Sequence, residues 1–444
     1  MPIAEAWEAA TSYRDFRFEP PTGGKQVCTG LSCNLFRPEA GPGEIGVGCR
    51  FRCYDAPVSG HERPFPEKFL RQAGPLLAPD PGDWAGLDRA LALGHDSALT
   101  EVGASGLRGR GGAYFPLARK WSAALEQGRP IALVVNAEEG EPGVFKDRAF
   151  LCTRPRRVLE GIAIAIEMLR PSVVVAIVNG QAEAARASLE AALTDPGLPQ
   201  GPDPWVVPGG GGYVLGEETT LLNALEGGKP VPRLRPPYPV ESGLFGMPTV
   251  VNNVETLANL SVIFRDGAAA FRAAGTAEAP GTKLFSVSGR VREPGVYELP
   301  IGVTIADVLH RAGGAVTGRA TAVLAGGPSG GFLAPSEFGR ELVPGPLHPT
   351  GAMLGAGGLV ILDESSDIRD AVLAMARFNA DESCGKCTPC REGSPRLIEL
   401  LGERDFDRLG PLMEVVAAAS LCGLGQTAPN PLRSALHFWP ELFR

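Results

Sequence analysis

The sequence holds 444 residues, 44% of them apolar and 21% charged, with a formal net charge of −8. That length gives room for two to four domains, and the acidic balance argues against a nucleic-acid partner, which would need a basic surface. Apolar runs such as Val173–Val178 fall far short of the roughly 20 residues of a membrane-crossing helix, and the opening MPIAEAWEAATSYRDF lacks the pattern of a secretory leader. A cytoplasmic protein with no membrane insertion is therefore expected.

In chain order, residues 1–75 form a Cys- and Pro-rich segment too small to build much core alone. Residues 76–265 change in texture. Ile131–Asn136 is predicted as a buried strand, and Arg157–Arg170 as a helix with Ile162, Ile166 and Leu169 on one face. Pro171 stops that helix, Val173–Val178 is the next buried strand, and Gln181–Thr194 the next helix. Strand–helix–strand–helix order predicts a parallel sheet with crossover helices. The glycine-rich stretch WVVPGGGGYVLG, residues 205–216, leads into a helix near Glu217–Glu226. Residues 266–362 hold short β-rich runs (LFSVSG, GVYELP, LVIL) and one helix, Ile305–Ala312, which suggests a small separate β-rich domain. Residues 363–444 read as helical, with Asp367 as an N-cap and Ile368, Ala371, Val372 and Met375 on one face.

Nine cysteines are an odd number, which argues against a disulfide framework. All but Cys152 fall into two groups, Cys28–Cys53 and Cys384–Cys422. The second group reads Cys384-x2-Cys387-x2-Cys390, with Cys422 remote in SLCGLG. One loop turn can aim three such thiolates at a compact centre, and a distant fourth completes the ligand set of a [4Fe–4S] cluster. Zinc, usually held by two C-x2-C pairs, and plain buried thiols are the alternatives.

Residues 106–121, GLRGRGGAYFPLARKW, combine Gly109, Gly111 and Gly112, which free the backbone to face a phosphate, with Arg108, Arg110 and Lys120. A tight turn is the plainer reading of such a loop. Directly after a predicted strand come Asn136, Glu138, Glu139 and Glu141, at the end of the sheet where α/β folds bind ligands.

Together with VVNAEEGEPGVFKDR, YVLGEETTLLNALEG, GLFGMPTVVNNVETLAN, GRVREPGVYELP, ESCGKCTPCREG and SLCGLG, that loop resembles the flavin-bearing, NADH-binding subunit family of respiratory complex I. The same family includes the diaphorase subunits of NAD-dependent formate dehydrogenases and hydrogenases. The likeness covers residues 95–430 and implies an α/β chain with a Rossmann-like FMN and NADH domain, a β-grasp (soluble-ligand-binding) domain and a C-terminal helical bundle. It implies that NADH, the substrate form of NAD(H), gives a hydride to FMN, which passes electrons singly to the [4Fe–4S] cluster. By the same resemblance Gly109, Arg110, Gly111, Gly112 and Lys120 would hold the FMN, and Asn136, Glu138, Glu139, Tyr213, Gly216, Glu217, Asn252 and Asn253 would line its site. Phe115, Glu141, Glu218 and Tyr238 would face the nucleotide, with Glu141 and Glu218 as the catalytic pair, and Cys384, Cys387, Cys390 and Cys422 would ligate the cluster.

The chain departs from the family pattern in four places. Tyr114 replaces a usual Gly, Ala123 an aromatic, Glu138 an Asp, and Arg235 a Lys. Tyr114 is expected to restore the aromatic surface lost at Ala123, and Arg235 to bear on the choice between NAD and NADP. The amino-terminal Cys28-x4-Cys33 and Cys49-x3-Cys53 resemble the ligand pattern of thioredoxin-like [2Fe–2S] domains, shortened to a remnant; zinc or a vestigial site are the alternatives. The partners implied are other iron–sulfur and catalytic subunits of a hetero-oligomeric complex. An NAD-dependent formate dehydrogenase is preferred over complex I or a hydrogenase. An electron-relay module with impaired nucleotide turnover is the competing reading.

Overall fold

The computed structural model describes residues 25–28, 30–36, 44–47, 50, 52–56, 64–195 and 204–443. Strands β1 (Lys25–Cys28) and β2 (Glu44–Val47) pair in parallel, with the short helix Leu31–Asn34 between them in sequence. They form a small parallel pair near the amino end. Strand β3 (Leu70–Gln72) does not join them. It becomes the edge of a distant sheet.

Strands β4 (Ala132–Ala137), β5 (Val173–Val178), β6 (Trp205–Pro208) and β7 (Thr249–Asn253) make an all-parallel sheet in the order β6-β5-β4-β7. A central parallel strand is covered on both faces, so it reads as a continuous apolar run rather than an alternating one. β4 fits that rule: Leu133 and Val135 join one core, Ala132 and Val134 another, and all four are fully buried. The predicted helices form as Pro155–Leu169 and Glu183–Ala192, with bounds that differ from the expected ones by a residue or two at each end. The helix Val254–Asp266 packs against Pro155–Leu169 so closely that a Cβ on Gly161 would lie 2.1 Å from the Leu257 carbonyl oxygen.

Strands β8 (Thr282–Gly289), β9 (Gly295–Pro300), β10 (Ala320–Ala325), β11 (Gly331–Leu333) and β12 (Gly358–Asp363) form, with β3, a mixed sheet ordered β11-β10-β12-β8-β9-β3. Its helix Ile305–Arg311 is started by a capping box between Thr304 and Asp307. The Cys-rich segment is thus not separate from this β-rich unit. β3 completes the sheet, and the Glu298 carboxylate of β9 accepts the backbone N–H groups of Gly74, Leu76 and Leu77.

The carboxyl-terminal part is helical: Ile368–Asp381, Thr388–Glu403, Phe406–Ala419, Gly423–Thr427 and Asn430–Phe438. Asp367 caps the first of these by accepting from the Asp370 N–H, as its position predicted. Among the described residues no helix is long and apolar enough to cross a membrane.

Candidate active site

The register of the parallel sheet sets the site. Val135 lies beside Asn252 and Asn136 beside Asn253, both at the carboxyl edge of their strands. A cavity of about 640 Å³ opens at this edge, within the usual range of cofactor sites.

One wall is the glycine loop. Gly109 donates to the Phe115 carbonyl at 2.9 Å and Leu117 to that of Leu107 at 2.9 Å, so the loop closes on itself before the helix Leu117–Leu125. Gly111 presses against Asn253, where a Cβ would sit 3.2 Å from the Asn253 Cβ. Gly112 has φ +122°, out of easy reach of other residues. Gly109, Gly111, Phe115 and Lys120 border the cavity. Arg110 does not. Its backbone N–H donates to Thr256 Oγ1, while its fully buried guanidinium turns toward the β-rich unit and donates to the Pro280 carbonyl. Any hold of Arg110 on a cofactor in the cavity would thus run through its backbone, and among the described residues its Nε and Nη1 have no hydrogen-bond partner.

Tyr114 is mostly buried. It borders the cavity, yet it is only 4% exposed and packs in the core of the β-rich unit. Its hydroxyl donates to the Gly355 carbonyl at 3.0 Å, and its backbone sits at φ +52°. The residue ties the cavity wall to the β-rich unit. Phe115 and Tyr238, by contrast, are about half exposed at the rim.

The opposite wall carries the acids. Glu217 caps the helix Glu218–Leu225, accepting from the N–H groups of Thr219 and Thr220. It also pairs with Arg235. Glu218 lies 3.4 Å from Lys120 Nζ and 3.6 Å from Arg235. Asn136 donates to the Gly216 carbonyl at 3.1 Å, Asn252 accepts from the Trp121 indole N–H at 3.0 Å, and Asn253 caps the helix that follows it.

A second chamber of about 240 Å³ adjoins the first. Gly111, Asn136 and Asn253 line both. Its other walls hold Glu138, Glu139, Glu141, Tyr213 and, on the far side, Cys422 and Leu424. Burial pushes the Glu138 carboxyl up to about 8, although the Asn179 amide donates to its Oε1 at 2.8 Å. Burial likewise pushes Glu141 up to about 8. Among the described residues Glu138 Oε2 and Glu141 Oε1 have no hydrogen-bond partner. Burial and the neighbouring Asp147 carboxylate raise Glu139, which accepts from the Asp147 and Arg148 N–H groups and so caps the helix Lys146–Thr153. Tyr213 bonds Ser329 through its hydroxyl and meets Phe378 edge-on at 5.5 Å, joining the β-rich and helical units.

Cys384, Cys387, Cys390 and Cys422 line one small apolar recess with Val214 and Leu424. Gly385, at φ +76°, makes the turn between the first two. Cys387 and Cys422 each sit at a helix N-cap. No three His, Cys, Asp or Glu side chains among the described residues gather as ligands of a single ion do. The four thiols converge on this one recess, and four Cys is the ligand set of a [4Fe–4S] cluster. Lys386 reaches the Pro232 carbonyl and Arg391 the Gly385 carbonyl at 2.7 Å, which tie the thiol loop down. At the amino end Cys28, Cys33 and Cys53 are buried, and Cys28 Sγ accepts from the N–H groups of Gly30 and Arg50. Cys49 lies outside the described residues.

Two features escaped the sequence reading. Lys146 and Lys283 both bond the buried Glu255, at 2.9 and 2.5 Å. Burial pushes the Glu255 carboxyl up, but the two ammonium groups hold it below the usual carboxylate range. Arg119, beside Lys120 on the same helix, also borders the cavity.

The parallel sheet, its glycine-lined cavity and the four thiols one chamber away define a flavin- and iron–sulfur-dependent redox subunit. Residues 102–262 match the Nuo51 FMN-binding domain model, residues 284–333 the SLBB domain, and residues 370–444 the NADH-ubiquinone oxidoreductase-F iron-sulfur binding region. The NADH-quinone oxidoreductase F subunit of Streptomyces coelicolor is 39% identical over 379 residues, covering 81% of this chain and 84% of that protein. The HndC subunit of the NADP-reducing hydrogenase of Solidesulfovibrio fructosivorans is 38% identical, over 80% of this chain and 76% of its own length. The crystal structure of NAD+-reducing [NiFe]-hydrogenase in the H2-reduced state superposes with a TM-score of 0.84 at 32% identity, over 100% of this chain and 87% of that one. The chain belongs to the family of FMN- and iron–sulfur-bearing subunits that includes the F subunits of NADH-quinone oxidoreductases and their hydrogenase counterparts.

Proposed function

We propose that the chain takes electron pairs from NADH at a flavin in the larger cavity and passes them singly to a [4Fe–4S] cluster on Cys384, Cys387, Cys390 and Cys422. The chamber shared by the cavity and the Cys422 wall carries this reading, because it brings the two cofactor places within one continuous interior. A flavin supplies the conversion between a two-electron donor and a one-electron acceptor. The chain's own residues bind and orient. The Gly109 and Gly111 backbone allows close approach, and Lys120 adds positive charge. The amides of Asn136 and Asn253 and the backbone of Gly216 frame the inner end. Phe115, Tyr238 and Glu218 face the nucleotide from the rim, while Glu141 acts from the inner chamber. Burial keeps Glu138 and Glu141 protonated near neutrality, so each holds a proton at a carboxyl oxygen for donation inward.

The named relatives favour a quinone-reductase or hydrogenase complex over a formate dehydrogenase. For the amino-terminal thiols we propose a [2Fe–2S] site, supported by the burial of Cys28, Cys33 and Cys53 and by two N–H donors on Cys28 Sγ. Metal and sulfide analysis of anaerobically purified whole chain tests both centres. Cys422→Ser should lose the four-iron complement, and Cys33→Ser only a two-iron one. Purified wild-type protein should reduce ferricyanide with NADH. Flavin-loaded protein that does not is an electron relay instead, and the reading fails.

A further inference from the structure

We propose that Arg119 is the residue that reads a phosphate of the incoming dinucleotide. The inference rests on the nucleotide entering the larger cavity, as proposed above, and names the group that selects it there. Three cations and two carboxylates border that cavity: Arg119, Lys120 and Arg235 against Glu217 and Glu218. Lys120 is matched by Glu218, and Arg235 by both acids. The expectation that Arg235 sets the choice between NAD and NADP is thereby weakened, since its charge is already answered. Arg119 has no carboxylate partner among the described residues. Its guanidinium carbon lies 5.6 Å from the centre of the Phe115 ring. A cation over an aromatic face is held in place without losing its charge, and a planar guanidinium offers a phosphate two parallel donors.

Helix geometry adds a second observation. Arg119 and Ala123 are four residues apart on the helix Leu117–Leu125, so they stack on one face, and both border the cavity. The small side chain at 123 leaves clearance for a phosphorylated ribose beside the guanidinium. The chemistry recognised is a phosphate dianion or diester. Its source is the 2′-phosphate of NADP or the pyrophosphate common to both dinucleotides.

Calorimetric titration of the flavin-loaded whole chain with NAD+ and NADP+, which bind without turnover, tests the assignment. Arg119→Leu should weaken binding about tenfold, the loss expected for one charge-assisted phosphate contact. Arg119→Lys, which keeps the charge but not the fork, should recover part of that loss. Weakening confined to NADP+ assigns the 2′-phosphate, and equal weakening for both assigns the pyrophosphate. Unchanged affinity of Arg119→Leu for both nucleotides, with an unchanged melting temperature, overturns the proposal. If the wild-type chain binds neither nucleotide, the cavity is not the nucleotide site, and that result sinks the reading beneath it as well.

Discussion

Glu138 stands where the family pattern resembled by this sequence has an aspartate, and the extra methylene has a visible accommodation. A Cβ on Gly209 would lie 1.8 Å from Glu138 Oε2, so the longer acid fits only opposite a glycine. Its burial has a pH consequence. The folded carboxyl titrates at about 8, above its unfolded value near 4.3. The folded chain therefore holds a proton that the unfolded chain releases, and stability falls as pH rises from about 4.3 through about 8. Glu141 acts in the same direction. Melting temperatures measured from pH 5 to pH 9 should decline from pH 5 to about 8 and then level, and Glu138→Gln should flatten that decline. An identical pH profile for the two proteins would disprove it. Position along the chain and the family resemblance offered Glu138 as a candidate site residue. Its protonation was not legible, because Asn179 and Gly209 close over it from loops far away in sequence. Arg110 shows the same limit. A glycine–arginine loop announces an anion site, but it does not say which way the guanidinium turns.

At the scale of the element, apolar runs and caps carried most of the information. β5 forms over the run Val173–Val178 as expected, and Glu217 begins its helix as a cap. β3 could not be seen in advance. Its three residues, Leu70–Gln72, have no period to read, and they become a strand only because β9 offers an edge. The contact of the helices Pro155–Leu169 and Val254–Asp266 is the tightest test of packing. The Gly161 backbone nearly touches the Leu257 carbonyl, so even one methyl group must push the helices apart. Gly161→Ala should destabilise the fold by about 1–3 kcal/mol, the usual cost of overpacking, despite alanine's better helix propensity. Urea unfolding would measure it, and a neutral or stabilising outcome would show that the helices slide apart freely.

For the whole molecule, the buried group of Lys146, Glu255 and Lys283 matters more than any single wall of the site. Glu255 belongs to the flavin unit and Lys283 to β8 of the β-rich unit, and the Lys283 ammonium also donates to the Arg110 carbonyl at 3.1 Å. Removing one partner of a buried ion pair leaves the other charge poorly compensated, at about 3–5 kcal/mol. Lys283→Met should cost less than that at neutral pH, because burial pulls the Lys283 amine down to about 7 and Lys146 still pairs with Glu255. Its unfolding should separate into two transitions by calorimetry as the units lose their shared anchor. A single transition with wild-type midpoint would remove the coupling role. The sequence could not show this group, since Lys146 and Glu255 sit in two separate motifs, Lys283 in none, and only the fold brings them together.

The wall between cavity and thiols is assembled from Gly111, from the Asn136–Glu141 segment and from the turn at Cys422, which lies hundreds of positions beyond the other two. No fragment of the polypeptide owns a conducting route. Under the proposed function, handover from flavin to cluster waits on docking of the last helices, because the turn at Cys422 closes the chamber that the Asn136–Glu141 segment opens.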